Sequence, residues 1–261
     1  MNVAMTIAGS DSGGGAGIQA DLKTFHQFQV FGTSVVVAVT SQNTLGVTQV
    51  HTLPVSSIET QIQAVHSDLH PKAVKTGMLA TSVIVEAVAS CLQSCNIPNY
   101  VLDPVMVASS GDRLLEDDAV ALVARLLIPM ASLITPNSQE AAILTDSTIE
   151  NQHDMAEAAL KLQDMGACAV LIKGGHINGD KVTDLLRFES QTRSFSHERI
   201  DTTSTHGTGC TLSAAITAEL ANGRSIVDAV ETGLNFVNRA IAAAPSLGAG
   251  HGPLNHFVSV E

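Results

Sequence analysis

The chain alternates short apolar, often β-branched runs with longer segments whose apolar positions recur at helical spacing. Runs of the first kind are typical of buried strands, and the second pattern is typical of amphipathic helices. The pattern predicts strands at 3–8, 34–39, 73–75, 100–102, 132–134 and 169–172, with a hairpin at 184–188 and 192–198. It predicts helices at 18–28, 55–66, 82–95, 116–127, 138–144, 155–165, 208–220 and 226–244.

This order of elements predicts an α/β fold with a mostly parallel central sheet and helices on both faces. The strands are continuously apolar rather than alternating, which indicates a sheet buried on both sides. The sequence shows no shift in composition, no repeat and no low-complexity tract. We therefore expect residues 1–261 to form one domain. The pattern is also compatible with a small lid added at the edge of the sheet.

Composition and charge exclude several kinds of partner. The formal net charge is −12, and the 13 basic residues are scattered, which argues against nucleic acid and against an acidic membrane surface. No apolar run has transmembrane length, and residues 1–7 lack the basic start of a signal peptide. Cys91, Cys95 and Cys168 have no metal-site spacing, so we expect them to be buried packing residues in a reducing cytoplasm.

Polar or glycine-rich residues follow one predicted strand after another. Because ligands bind beyond the carboxyl ends of strands in open parallel sheets, this repetition predicts a site at that edge. The segments concerned are 9–11, 40–43, 75–78, 103–104, 135–137 and 173–176.

The stretch from Thr205 to Cys210 has the strongest chemical character. Its two glycines, Gly207 and Gly209, allow successive backbone N–H groups to converge on one point. The helix predicted to begin here would direct its free N–H groups and positive dipole end at an anion, with Cys210 beside it. A glycine-rich turn that only starts a buried helix is the structural alternative.

Asn137 and Glu140 lie three residues apart at the start of a predicted helix. A plain capping interaction is one interpretation. The other is that the pair holds a hydrated Mg²⁺, which needs only one or two protein oxygens plus phosphate, with Asp103 joining its water shell. Lys173, before two glycines, can reach a phosphate oxygen as a point charge.

The glycine-rich stretch 13–17 is not a dinucleotide fingerprint, since its spacing differs from G-x-G-x-x-G, and the chain contains no Walker A motif. This stretch is predicted to be either a loop that closes over a ligand or a plain turn. Asp21 and Lys23 follow it in the predicted helix. An exposed helix face is an alternative for both residues, and for Lys23 we favour it.

An anion nest, a carboxylate–amide site for Mg²⁺ and a lysine are the components of phosphoryl transfer. The chain also resembles the hydroxymethylpyrimidine/phosphomethylpyrimidine kinase family of thiamine biosynthesis, which has the ribokinase-like fold. The resemblance extends in order over nearly the whole chain. It lies in segments 6–11, 17–24, 75–79, 102–106, 135–140, 173–176 and 205–210.

The resemblance implies ATP and Mg²⁺ as cosubstrates, two successive phosphorylations of a hydroxymethylpyrimidine, and a homodimer. It implies that Cys210 acts as the base where related enzymes carry Asp; a helix N-terminus would lower the pKa of this thiol, although the thiol could also only position the hydroxyl. We assign Lys173, Gly207 and Gly209 to catalysis together with Cys210. The residues assigned to ATP are Lys173, Thr205, Gly207, Thr208, Gly209 and Asn137. Those assigned to the metal are Asp103, Asn137 and Glu140. Those assigned to the substrate are Gly9, Asp21, Gln42, Met78 and Val105.

Gln42 bears on the choice of substrate. Its amide offers a donor and an acceptor side by side, which complements an aminopyrimidine edge and not pyridoxal. Met78 and Val105 would pack on the faces of the ring. The alternatives are a pyridoxal or pyridoxine kinase of the same fold, a nucleotide-binding regulator without turnover, and a hydride-transfer enzyme, which the missing dinucleotide fingerprint disfavours.

Overall fold

The computed structural model describes residues 1–107, 111, 114–177 and 179–260. Its strands are β1 (Val3–Asp11), β2 (Phe31–Asn43), β3 (Gly46–Thr52), β4 (Ala73–Thr76), β5 (Asn99–Leu102), β6 (Leu133–Ile134), β7 (Ala169–Ile172), β8 (Lys181–Phe188) and β9 (Gln191–Glu198). Its α-helices are α1 (Gly17–Gln27), α2 (Val55–Leu69), α3 (Ser82–Cys95), α4 (Asp117–Leu122), α5 (Ser138–Thr145), α6 (Gln152–Asp164), α7 (Thr208–Ala221) and α8 (Ile226–Ala242).

All of these strands belong to one sheet, in the order β3-β2-β1-β4-β5-β6-β7-β8-β9. The strands from β2 through β7 in this order run parallel, and β3, β8 and β9 are antiparallel to their neighbours. The chain adds β2 on one side of β1 and later β4 on the other. The carboxyl end of β1 is therefore a topological switch point, where ligands bind in such sheets.

Each face of the sheet carries its own core, because successive strand residues point to opposite sides. In β1, Met5 packs with the helices α2 to α6, whereas Ala4 faces α1, α7 and α8. Phe25 of α1 is fully buried in the second core, which also contains Phe236. These two layers of helices confirm the predicted α/β fold class.

Helix α7 lies directly on the middle of the sheet, against β1, β4 and β5. Every residue from Thr211 to Ala221 is buried. Small residues at Ala4 and Ala73 on the strands below, and Ala214, Ala215 and Ala218 on the helix, allow this close approach. The helix axis is thereby fixed with its N-terminus at the carboxyl edge of the central strands.

The sequence missed one strand and misplaced several boundaries. Strand β3 is an exposed edge strand with no buried residue, so it lacks the apolar run by which buried strands are found. Strand β1 continues to Asp11 because it pairs with β2 as far as Thr40, and β2 continues to Asn43 because its end pairs with β3. The helix expected at 116–127 changes after Leu122 to a π-helical turn and then a 3₁₀ turn.

Two expectations about burial were wrong. Cys168 is exposed, because it precedes β7 at the amino edge of the sheet instead of lying within it. The sheet is not covered on both faces throughout, because β9 is mostly exposed. Among the described residues, no helix is long and apolar enough to cross a membrane.

The position of Phe25 predicts a large loss of stability when its ring is removed. We expect Phe25→Ala to lower the free energy of unfolding by about 3–5 kcal/mol, since a ring-sized cavity would remain under α1. Urea unfolding followed by circular dichroism measures this. Phe257→Ala is the matched control, because that ring is 93% exposed and its loss should change stability by less than about 0.5 kcal/mol. Equal effects of the two changes would contradict the packing described.

Candidate active site

The ends of the parallel strands and the start of α7 enclose a cavity of about 700 Å³. The residues assigned to the site from the sequence line it, with the exception of Asp21. They are Gly9, Gln42, Met78, Asp103, Val105, Asn137, Glu140, Lys173, Thr205, Gly207, Thr208, Gly209 and Cys210. Separate motifs spread over 200 positions thus converge because each follows a strand of one parallel sheet.

The N-terminus of α7 forms the floor of this cavity. Gly207 is its N-cap and has φ +84°, a left-handed conformation that favours glycine. The backbone N–H groups of Gly209 and Cys210 have no acceptor among the residues that the structure describes. These amides and the helix dipole are available to bind an anion.

Lys173 lies beside this helix start, at the end of β7. Its Nζ is 3.3 Å from Asp103 Oδ1 and 4.0 Å from Glu140 Oε2. A Cβ placed on Gly209 would lie 3.2 Å from Lys173 Nζ, which puts the ammonium next to the free amides. Burial would lower the pKa of Lys173, but the Asp103 and Glu140 carboxylates outweigh it and raise the pKa, so the side chain is charged.

Asp103 and Glu140 supply the carboxylate oxygens nearest to Lys173. Asp103 is fully buried and accepts hydrogen bonds from Ser213 (3.1 Å) and Thr135 (3.4 Å). Burial, with a smaller contribution from the Asp103 charge, raises the pKa of Glu140 to about 7, although the Lys173 charge opposes the shift. No group of three or more His, Cys, Asp or Glu side chains suited to a metal occurs in the described part of the chain.

The capping interpretation of Asn137 and Glu140 is correct as far as local structure is concerned. The Asn137 side chain accepts from the Glu140 amide, and the Glu140 carboxylate accepts from the Asn137 amide, both at 2.8 Å. These bonds use one lone pair of each side chain. Oxygen donors therefore remain for a hydrated Mg²⁺, which needs few protein ligands.

Asp21 was expected either to contact substrate or to lie on an exposed helix face. The exposed-face alternative is wrong for Asp21, which is fully buried; it is correct for Lys23, whose exposed side chain donates to the Gly14 carbonyl at 2.7 Å. Asp21 Oδ1 accepts from Lys75 Nζ at 2.8 Å, and Oδ2 accepts from Thr6 at 2.6 Å. The pair lies beneath the cavity wall, since a Cβ on Gly77 would lie 3.8 Å from Lys75 Nζ.

The expectation of a lowered pKa for Cys210 was wrong. Loss of solvent around the thiol raises its pKa to about 12, and the Asp21 and Asp103 charges oppose the effect of Lys75. The helix N-terminus therefore does not produce a thiolate here. The neutral thiol can accept or donate a hydrogen bond but is a weak base at neutral pH.

Sequence reasoning missed two buried side-chain pairs that shape the site. One is Lys75 with Asp21. The other joins Asp11 at the end of β1 to His206 before α7, with Oδ2 and Nε2 2.8 Å apart. Both pairs join residues far apart in sequence. The only available signal was that Asp11, Lys75 and His206 lie within the segments that carry the resemblance.

A mostly parallel sheet of this order between two layers of helices, with a glycine-rich helix start and a lysine at its carboxyl edge, defines a small-molecule kinase of the ribokinase-like fold. The family model described as phosphomethylpyrimidine kinase matches residues 11–255. The hydroxymethylpyrimidine/phosphomethylpyrimidine kinase of Bacillus subtilis (strain 168) is 51% identical over 255 residues, which are 97% of this chain and 94% of that protein.

Solved structures agree with this assignment. Phosphomethylpyrimidine kinase from Clostridium difficile 630 superimposes with a TM-score of 0.83 at 40% identity, covering 92% of this chain and 100% of that one. A Bacillus subtilis pyridoxal kinase in an ADP complex superimposes with a TM-score of 0.91 at 37% identity, covering 98% and 97%. The chain belongs to the phosphomethylpyrimidine kinase family.

The buried pair predicts a large stability effect when only one partner is removed. Lys75→Met leaves the Asp21 carboxylate buried and unpaired, so we expect a loss of about 3–5 kcal/mol in the free energy of unfolding. The double variant Lys75→Met/Asp21→Leu should recover most of it. Lys181→Met, which removes a side chain that is 66% exposed in a surface ion pair, is the control and should change stability by less than about 1 kcal/mol. A double variant as unstable as Lys75→Met would refute this account.

The raised pKa of Glu140 predicts how stability changes with pH. The folded chain holds this proton up to about pH 7, whereas the unfolded chain loses it near 4.5. Stability from this group therefore increases as pH falls from about 7 toward 4.5. Glu140→Gln keeps the capping hydrogen bond and cannot titrate.

Urea unfolding of both proteins at several pH values tests this. The difference in free energy of unfolding should shift in favour of the wild type as pH falls through this window. Parallel curves would show that Glu140 has an ordinary pKa.

Proposed function

We propose that the protein uses ATP to phosphorylate the hydroxyl of 4-amino-5-hydroxymethyl-2-methylpyrimidine and then the resulting monophosphate, giving the diphosphate for thiamine biosynthesis. One observation carries this proposal. The lining of one cavity includes Gln42, the start of α7 with its free amides, and Lys173. Membership of the family supports the same reaction.

In this proposal the pyrimidine lies between Met78 and Val105, and its amino edge pairs with the Gln42 amide. Gly9 backs this part of the cavity, because a Cβ there would overlap Met78 Cε. Asp21 acts beneath the wall through its ion pair with Lys75 instead of touching the ring. The substrate hydroxyl then points toward Cys210 and the start of α7.

ATP places its transferring phosphoryl group on the amides from Gly207 to Cys210, with Thr205, Thr208 and Asn137 around it. The ADP complex of the related pyridoxal kinase supports a nucleotide in this fold. Preorganised amides and Lys173 stabilise the charge on the transferring group, and removal of one such donor typically costs about 10²–10³-fold in rate. Because the transition state is loose, the neutral Cys210 thiol needs only to position the hydroxyl.

Asp103, Glu140 and Asn137 fit a magnesium site, since they offer the oxygen donors that this ion prefers. When bound, Mg²⁺ would neutralise charge on the ATP phosphates. Glu140 must lose its proton to act as a ligand, while Lys173 remains charged between the two carboxylates.

Further proposals concern the whole protein. We propose that the chain works as one kinase domain, because the single sheet connects all its strands. We propose a homodimer, supported by the exposed edge strand β3, where Val50 and Leu45 of the preceding turn are exposed. A reducing cytoplasm is proposed because all four cysteines are free.

A pyridoxal kinase is the second candidate, favoured by the TM-score of 0.91 to such an enzyme. ATP consumption assays with the pyrimidine alcohol and with pyridoxal separate the two. We expect the pyrimidine to be the better substrate by kcat/KM. Turnover of pyridoxal alone would replace the first proposal by the second.

Gln42 provides the sharper prediction. Gln42→Leu should lower kcat/KM for the pyrimidine alcohol by about 10- to 100-fold, because two hydrogen bonds to the ring edge are lost. The value for pyridoxal should change less than about threefold. Gln139→Leu is a matched control, since this amide also lines the cavity but is not assigned to the ring. Equal losses of kcat/KM for both substrates would show that Gln42 does not recognise the pyrimidine ring.

A further inference from the structure

Asp11 and His206 form a buried bridge between the glycine-rich loop at 13–17 and the start of α7. Asp11 ends β1, and His206 precedes the N-cap of α7. The carboxylate and the imidazole lie 2.8 Å apart and are 3% and 7% exposed. Neither residue has a role in the reaction proposed above, so the bridge needs its own explanation.

On one side the bridge holds the glycine-rich loop. The Asp11 carboxylate accepts from the amides of Gly13 (2.8 Å), Gly15 (3.0 Å) and Ala16 (2.8 Å). Burial raises the pKa of Asp11, but the His206 hydrogen bond and these amides outweigh it and hold the pKa below its usual value. The loop therefore folds around an ionised carboxylate that His206 also binds.

On the other side the bridge holds the start of α7. The His206 amide donates to the Gly252 carbonyl at 3.1 Å, and Gly207 follows directly. A Cβ on Gly15 would overlap the His206 ring, and one on Gly207 would overlap the Gly15 carbonyl. The glycine-rich loop and the turn before α7 are thus in direct contact at Gly15 and Gly207, and only glycine fits at these two positions.

The His206 imidazole also lies next to the side-chain amide of Gln42. Gln42 Nε2 is 3.4 Å from His206 Nε2, and Gln42 Oε1 accepts from Thr40 at 3.1 Å. The Gln42 backbone is tied to the glycine-rich loop, because its amide donates to Ser12 Oγ, and that hydroxyl donates to its carbonyl, both at 2.8 Å. Hydrogen bonds to the loop therefore hold the Gln42 backbone, and the Gln42 side chain lies next to His206.

We propose that Asp11 and His206 are positioning residues that hold Gln42, the glycine-rich loop and the amides of α7 in one geometry. The His206 imidazole N–H holds the Asp11 carboxylate in place, and this carboxylate holds the glycine-rich loop. The loop and the imidazole together set the distance between the Gln42 side-chain amide and the backbone amides at the start of α7. A displacement of 1 Å between reacting groups can cost about 10²-fold in rate. The role assigned to Gln42 rests on the proposed function, whereas the bridge itself does not.

Replacing His206 tests the bridge. His206→Leu removes the donor, and His206→Gln keeps an N–H at a similar reach. We expect His206→Leu to lower kcat for the pyrimidine alcohol by about 30- to 100-fold and to raise its KM, while His206→Gln stays within about fivefold of wild type. His153→Leu is the control, because that side chain is 80% exposed on α6.

Amide hydrogen exchange supplies a readout that is independent of activity. The amides of Gly13, Gly15 and Ala16 should be protected in the wild type and in His206→Gln, and should exchange at least tenfold faster in His206→Leu. If His206→Leu does not fold, Asp11→Asn takes its place and should show the same fast exchange and slow turnover.

Unchanged exchange and turnover in His206→Leu would overturn the proposal, as would a His206→Gln variant that fails in the same way as His206→Leu. A wild type that consumes no ATP with the pyrimidine alcohol or with pyridoxal would overturn the proposed function instead. In that case the exchange pattern alone still decides whether the bridge holds the loop.

Discussion

The close packing of helix α7 on the centre of the sheet is the constraint on which the site depends. Alanines on the helix and on β1 and β4 bring the two backbones together, and all residues from Thr211 to Ala221 are buried. A helix held in this way cannot shift or rotate without opening the core. Its free N–H groups therefore stay fixed at the edge where the parallel strands end, which is the preorganisation that phosphoryl transfer requires.

Carboxylates surround the two lysines near this helix start. Lys75 pairs with Asp21 below the cavity, and Lys173 lies between Asp103 and Glu140 inside it. Both of these lysines thus have a carboxylate partner, as low-dielectric surroundings demand. Loss of solvent is the main reason that the Cys210 pKa is raised and its thiol neutral; the Asp21 and Asp103 charges add to this effect, and the Lys75 charge opposes it. The chemistry then depends on position more than on a strong base.

Much of the fold was predictable because the buried strands and helices carry periodic apolar patterns. Helix α3 and strand β7 have the predicted boundaries, and the class of fold was confirmed. The missed strand β3 has no apolar run, because it lies exposed at the edge. The extra length of β1 comes from its pairing with β2, and the end of β2 is extended by pairing with β3, which polar residues such as Asp11 and Thr40 do not indicate.

The sequence by itself determined the parallel sheet, the polar strand ends, the glycine-rich helix start and the family. It could do so because each of these depends on residues close together in the chain. Only the tertiary structure decided that Asp21 pairs with Lys75, that His206 binds Asp11, and that Cys210 is neutral. Those facts depend on burial and on contacts across 54 and 195 residues. Such contacts exist only after the strands have assembled, because desolvation and the distance between charges have no local pattern.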